Sequence, residues 1–315
     1  MRGSPLWRRL LTLLLIAAAG WYLGRAIAGN WEALRAFEWE MQPLPLLGSV
    51  VLHVAVLAWG VWVWSRVLRC FDYPPVPWTT LLRIWFLSNL ARYIPGKVFQ
   101  FLAVAHLGRG SGISGAVLLT SLVMHTGLAL LSAVLLATWT LGAQLVPGAP
   151  AGPVAAAAAA ASLFLVNPVL LNRALTTVSR LLRRDVIRWT GRWRDGAVLL
   201  LLSVLSWCFY GVAYFLFVTA VTGLPLTTLP LLTGVNALSF VAGYLAIVTP
   251  GGLGVREAAM TGLLLPLLPD GVAAVLAIGA RLWTIAAEVI GGVLTLLFVH
   301  APTSTSPDGI GDAVV

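Results

Sequence analysis

Arg92, Lys97, Arg256, Glu257, Arg281 and Glu288 all stand within apolar stretches of this sequence. A charge at the centre of a bilayer costs between about 3 and 10 kcal/mol or more, so such residues need partners, water or a task. Arg92 and Lys97 flank Pro95-Gly96, while Arg256 and Glu257 follow Pro250-Gly251-Gly252 and Gly254 within a few residues. A helix that restarts after a Pro-Gly break presents unpaired N–H groups and the positive end of its dipole. With an arginine or lysine beside it, that end forms a cradle for a phosphate. Arginine's planar fork also matches two phosphate oxygens. The competing reading is that these long side chains reach the headgroup layer from short spans. Arg281 and Glu288 lie seven residues apart, which places them on one face of a helix, as a structural ion pair or as part of the same cavity. Asn89, Tyr93, Gln100, Asn236 and Tyr244 are candidates for lining that cavity. His125 reads as a hydrogen-bonded residue inside a helix bundle.

The surroundings of these charges set the class. Of 315 residues, 59% are hydrophobic and 10% charged, against roughly 25% charged in an ordinary soluble domain. A water-soluble fold has nowhere to put so much apolar surface. Several runs approach the roughly 20 residues that an α-helix needs to cross a bilayer, and none shows the alternation of a membrane β-barrel. The formal charge of +9 does not point to nucleic acid, because the cations cluster in short loops between apolar runs. No Ser-His-Asp grouping, paired carboxylates, metal-ligand spacing or Walker loop appears. The expectation is therefore a non-enzymatic membrane protein without cofactor or metal. Cys70 and Cys208 make no disulfide framework.

Spans are expected at about 10–28, 44–68, 113–141, 154–171, 197–221, 228–249 and 272–299, with 253–268 continuing the run that Pro250-Gly251-Gly252 interrupts. The first run, preceded by Arg2, Arg8 and Arg9, also has the layout of a secretory signal; because more spans follow, it is read as an uncleaved helix. The stretch 79–107 is apolar but broken at Pro95-Gly96. The loop 172–196 carries Arg173, Arg180, Arg183, Arg184, Arg188, Arg192 and Arg194 against Asp185 and Asp195, and reads as a cytoplasmic segment touching anionic headgroups. Residues 1–300 form one transmembrane domain, and 301–315 read as a disordered tail.

Two halves, about 1–150 and 151–300, resemble each other. A shift of 151 residues lays Gly60 on Gly211, Pro74 on Pro225, Ser88 on Ser239, Ala91 on Ala242 and Tyr93 on Tyr244. Four extra residues bring Pro95-Gly96 onto Pro250-Gly251, and Gly115 meets Gly271 with a shift of 156. His125 then takes the place of Arg281. With the amino terminus inside, the broken segments must make no net crossing for 172–196 to be cytoplasmic. Each is then a hairpin, re-entrant or made of two short spans, and the halves are inverted. Broken helix at membrane depth is tolerated where it is buried in protein or lines a cavity. Inverted repeats with interrupted helices at matching places point to a transporter with its site near the midplane. The fold class expected is thus an all-α polytopic membrane protein, an inverted-topology repeat with two Pro-Gly-broken hairpins.

The stretches Ala91-Arg92-Tyr93-Ile94-Pro95-Gly96-Lys97 and Thr249-Pro250-Gly251-Gly252-Leu253-Gly254-Val255-Arg256-Glu257, with Arg281 and Glu288, resemble the lysylphosphatidylglycerol synthase transmembrane-region family over nearly the whole chain. In the multiple peptide resistance factor, a membrane domain of this type is associated with flipping aminoacylated phosphatidylglycerol, and a separate soluble domain performs the aminoacyl transfer. That transfer activity does not carry over to a chain ending at Val315. The resemblance implies a flippase-like protein of the bacterial inner membrane. Its substrate would be a phospholipid or a polyprenyl-linked or glycolipid headgroup, and a lipid-modifying enzyme is a possible partner. Two other readings stand beside it: a small-solute or ion transporter using the same cavity, and a non-transporting accessory subunit of a lipid- or glycan-modifying enzyme.

Overall fold

The computed structural model describes residues 25, 28–29, 31–71, 76–91, 98–108, 113–145, 151–181, 186–246, 249 and 252–299. Regular structure among them is helical throughout: α1 Trp31–Ala36, α2 Pro43–Arg69, α3 Trp78–Ala91, α4 Val98–Leu107, α5 Gly115–Leu145, α6 Ala151–Leu165, α7 Pro168–Leu181, α8 Trp193–Thr222, α9 Leu229–Leu245, α10 Val255–Leu264 and α11 Asp270–Phe298. The expected first span and the expected tail lie outside the described residues, apart from Arg25 and Ala28.

Five helices are long and apolar enough to cross a membrane: α2, the 115–142 part of α5, α8, α9 with its leading 3-10 turn, and α11. Within hydrocarbon a backbone must satisfy its own hydrogen bonds, and a continuous helix does so. The chain is a multi-pass α-helical membrane protein. Two expected runs come out differently. Val154–Leu171 does not form one helix: α6 stops at Leu165, and α7 leaves it bent by 60°. Pro168 has no N–H to continue the ladder, and the Asn167 side chain accepts from Val169 N at 2.9 Å, starting a new helix. The basic loop therefore begins inside α7. The run 253–268 contains only the ten residues of α10, roughly 15 Å of helix, too short to cross alone.

The two halves repeat one order of elements. In the first half, α2 (27 residues), α3 (14), α4 (10) and α5 (31) follow one another. In the second, α8 (30), α9 (17), α10 (10) and α11 (29) do the same. Packing follows the repeat. α2 and α8 form the most extensive helix pair, α3 folds on α4 and α9 on α10. Each hairpin also crosses over: α3 packs on α11 and α9 on α5. The apolar core divides accordingly. One cluster gathers Trp64, Val67, Ile84 and Leu118, and the other Tyr214, Leu232, Met260 and Trp283.

Neighbouring helices are held by indole N–H groups that find oxygen on another helix, since hydrocarbon offers no other acceptor. Trp64 donates to Ser121 at 3.1 Å, Trp59 to Ser206 at 3.0 Å and Trp207 to the Ala129 carbonyl at 2.9 Å.

Candidate functional site

The second break is built from glycines for steric reasons. Gly252 and Gly254 have φ of 71° and 85°, a region that L side chains adopt only with strain. A Cβ on Gly252 would run into the backbone of Gly243, and one on Gly243 would sit 2.8 Å from the Arg256 Cβ. The bare backbones of α9 and the chain leading into α10 thus touch, which seats Arg256 and Glu257 against α9.

Here the structure assembles ions. Arg256, Glu257, Arg281 and Glu288 are all buried. Arg256 Nη2 reaches Asn236 Oδ1 at 3.5 Å, and Arg281 Nε stands 3.8 Å from Glu257 Oε1. Glu288 and Glu257 both lie within electrostatic reach of Arg256, as does the Tyr210 hydroxyl. Two cations thus face two anions, and the cluster is formally neutral. The carboxylate that meets Arg281 comes from the hairpin, a partner that the seven-residue spacing to Glu288 did not indicate.

Glu257 has a second engagement. Its Oε2 accepts from Gly254 N at 2.6 Å, so a carboxylate already occupies the positive end of α10, where a phosphate cradle was expected. An anion at this position is stabilised by the same N–H group and dipole that would hold a phosphate. Its other oxygen, Oε1, is buried without a hydrogen bond, as is Asn236 Nδ2. The site therefore holds donor and acceptor capacity that the protein itself does not fill.

In the first hairpin, Gln100 Nε2 donates to Asn89 Oδ1 at 2.8 Å, tying α3 to α4 across the break. Phe86 seats against Gly291 of α11, where a Cβ would collide with its ring. That contact lies one turn from Asn89 on one helix and one turn from Glu288 on the other. The amide pair and the ion cluster therefore approach the same helix. Arg92, Tyr93, Pro95, Gly96, Lys97, Pro250 and Gly251 lie outside the described residues. Tyr244 is placed apart: it is 42% exposed and its ring stacks on Phe240, 6.0 Å between centroids.

Residues that sequence reading passed over complete the cluster. Tyr210 stands 3.5 Å from Thr284 through their oxygens and stacks between Trp207 and Trp283. His53 of α2 lies on Trp283 at 4.1 Å and on Tyr210 at 4.6 Å between centroids. His53 had a usable signal, as an ionisable residue in mid-span. Tyr210 had none, since one tyrosine in an apolar run looks like core.

The model of the lysylphosphatidylglycerol synthase TM region matches residues 9–292. This chain belongs to that family. No curated protein and no solved structure matches it. Membership in the lysylphosphatidylglycerol synthase TM family agrees with the multi-pass architecture.

Proposed function

We propose that this member of the family is a membrane lipid translocase of the flippase type, moving an anionic or lipid-linked headgroup past the two hairpins. The observation that carries the reading is the buried, self-neutral cluster of Arg256, Glu257, Arg281 and Glu288 beside a helix break. A charge cluster maintained only for stability is a poor investment, because apolar packing of similar volume is often as stable or more so. A cluster whose carboxylate mimics a phosphate at a helix start has a use: a headgroup phosphate can take the place of Glu257 between the α10 N-terminus and the arginines. Arg92 and Lys97 of the first break would add cations from the other side, while the acyl chains stay in the bilayer. The two halves would rock as inverted units in the bacterial plasma membrane, with the amino terminus in the cytoplasm.

The test is reconstitution of the purified chain into liposomes carrying a headgroup-tagged anionic lipid in both leaflets, with a membrane-impermeant quencher outside. Quenching beyond the outer-leaflet half supports translocation. Quenching that stops at that half, as in empty liposomes, for phosphatidylglycerol, aminoacylated and polyprenyl-linked lipids alike would defeat it.

A further inference from the structure

At the bend between α6 and α7 the structure leaves a cavity of about 240 Å³, lined by Met124, Gly127, Leu131, Val166, Leu171 and Trp189 among others. None of the buried ionic residues borders it. Its volume exceeds the roughly 150 Å³ of an apolar cavity known to stay dry and take up benzene, so a segment of hydrocarbon fits. The wall is almost wholly apolar with one exception. Trp189 is 3% exposed, and its indole N–H is buried without a partner. An unmet buried donor is costly, and here the backbone holds it in place: Asn172 donates to the Trp189 carbonyl and accepts from its N–H, both at 2.9 Å.

The rim is basic. Arg173 and Arg180 lie along the exposed face of α7, together with Asn172, Thr176 and Thr177, and Arg188 is exposed next to Trp189. Among the described residues no carboxylate lies within ion-pair distance of these three arginines. The nearby Asp195 is engaged with Arg194 at 3.8 Å and with Arg192 N at 2.7 Å. An apolar slot, one buried donor at its wall and an uncompensated cationic rim match the three parts of an anionic glycerophospholipid in order: chain, ester, phosphate.

We propose that the α6–α7 bend is a binding site for one anionic phospholipid. One acyl chain fills the cavity, the Trp189 indole donates to an ester or phosphate oxygen, and Arg173 and Arg180 hold the headgroup. The site is separate from the ion cluster, and it stands whether or not the protein translocates lipid.

Gly127 supplies the test, because it lines the cavity and a Cβ there meets nothing within 4 Å. Gly127→Leu fills the slot and replaces a glycine inside a helix, a change that favours folding. Native mass spectrometry of detergent-purified protein titrated with phosphatidylglycerol is expected to show one retained lipid on the wild type and none on Gly127→Leu. Phosphatidylcholine is expected to bind several-fold more weakly. Arg173→Gln and Arg180→Gln, both on the exposed face, are each expected to weaken phosphatidylglycerol binding roughly fivefold, and Trp189→Phe to weaken it while keeping the ring. Equal retention of phosphatidylglycerol by wild type and Gly127→Leu, or by wild type and the double arginine variant, would overturn the site. Equal affinity for phosphatidylcholine would overturn the role of the rim.

Discussion

The two hairpins share a layout and differ in chemistry. Where the second hairpin places Asn236 the first has Trp85, where the second has Arg256 the first has Gln100, and where α11 carries Arg281, α5 carries His125. The first half is joined by a neutral amide bond from Gln100 to Asn89 and by an edge-on contact of His125 with Trp85, 5.2 Å between centroids. The second half is joined by ions. One helical frame can therefore be closed either by neutral groups or by paired charges. Because the neutral solution exists in the same molecule, holding a helix break together does not in itself require ions. Function is the remaining reason for the charges in the second half.

That contrast can be broken in a graded way. The largest effect is expected from Glu257→Ala, which leaves two arginines facing one carboxylate and removes the acceptor for Gly254 N. Losing one partner of a buried ion pair costs about 3–5 kcal/mol. Thermal unfolding in detergent should show a marked loss, and pairing Glu257→Gln with Arg281→Gln should recover part of it. Next comes a matched pair of glycines. A Cβ on Gly211 falls inside the Thr233 side chain, whereas one on its repeat mate Gly60 stops 3.9 Å from Trp85. Gly211→Ala should therefore destabilise by about 1–3 kcal/mol through overpacking. Gly60→Ala should be neutral or stabilise by about 0.5–1 kcal/mol. Equal behaviour of the two in denaturant titrations would contradict the packing described for α8 and α9. The smallest effect is expected from Gln100→Leu, which removes one interhelical hydrogen bond worth about 0.6 kcal/mol in a membrane protein. A loss as large as that of Glu257→Ala would show that the first hairpin is no less dependent on polar contacts than the second.

Much of this was legible in the sequence, for physical reasons that can be named. Apolar length alone located α2, α5, α8 and α11, because the bilayer fixes how long a spanning helix must be. The order of elements in the two halves followed from repeated Pro-Gly breaks and matched spacings. The bend at Val166–Pro168 was missed because the apolar run continues through it to Leu171, and hydropathy does not register a missing N–H. The charged residues were singled out by their surroundings, but their pairing was not. Helical periodicity relates Arg281 to Glu288 along one helix, whereas the contact to Glu257 depends on how Gly243 and Gly252 let two backbones meet. Tyr244 was chosen for its type, and its exposure on the outer side of α9 is set by packing that no local pattern encodes.

The central claim is that the second half grips the headgroup and the first half supplies the frame. Lipid translocation by reconstituted Arg256→Gln and His125→Gln, compared with the wild type in one assay, tests it most directly. The account predicts that Arg256→Gln falls to the rate of empty liposomes while His125→Gln keeps most of the wild-type rate. Wild-type translocation by folded Arg256→Gln, or equal losses in the two variants, would contradict it.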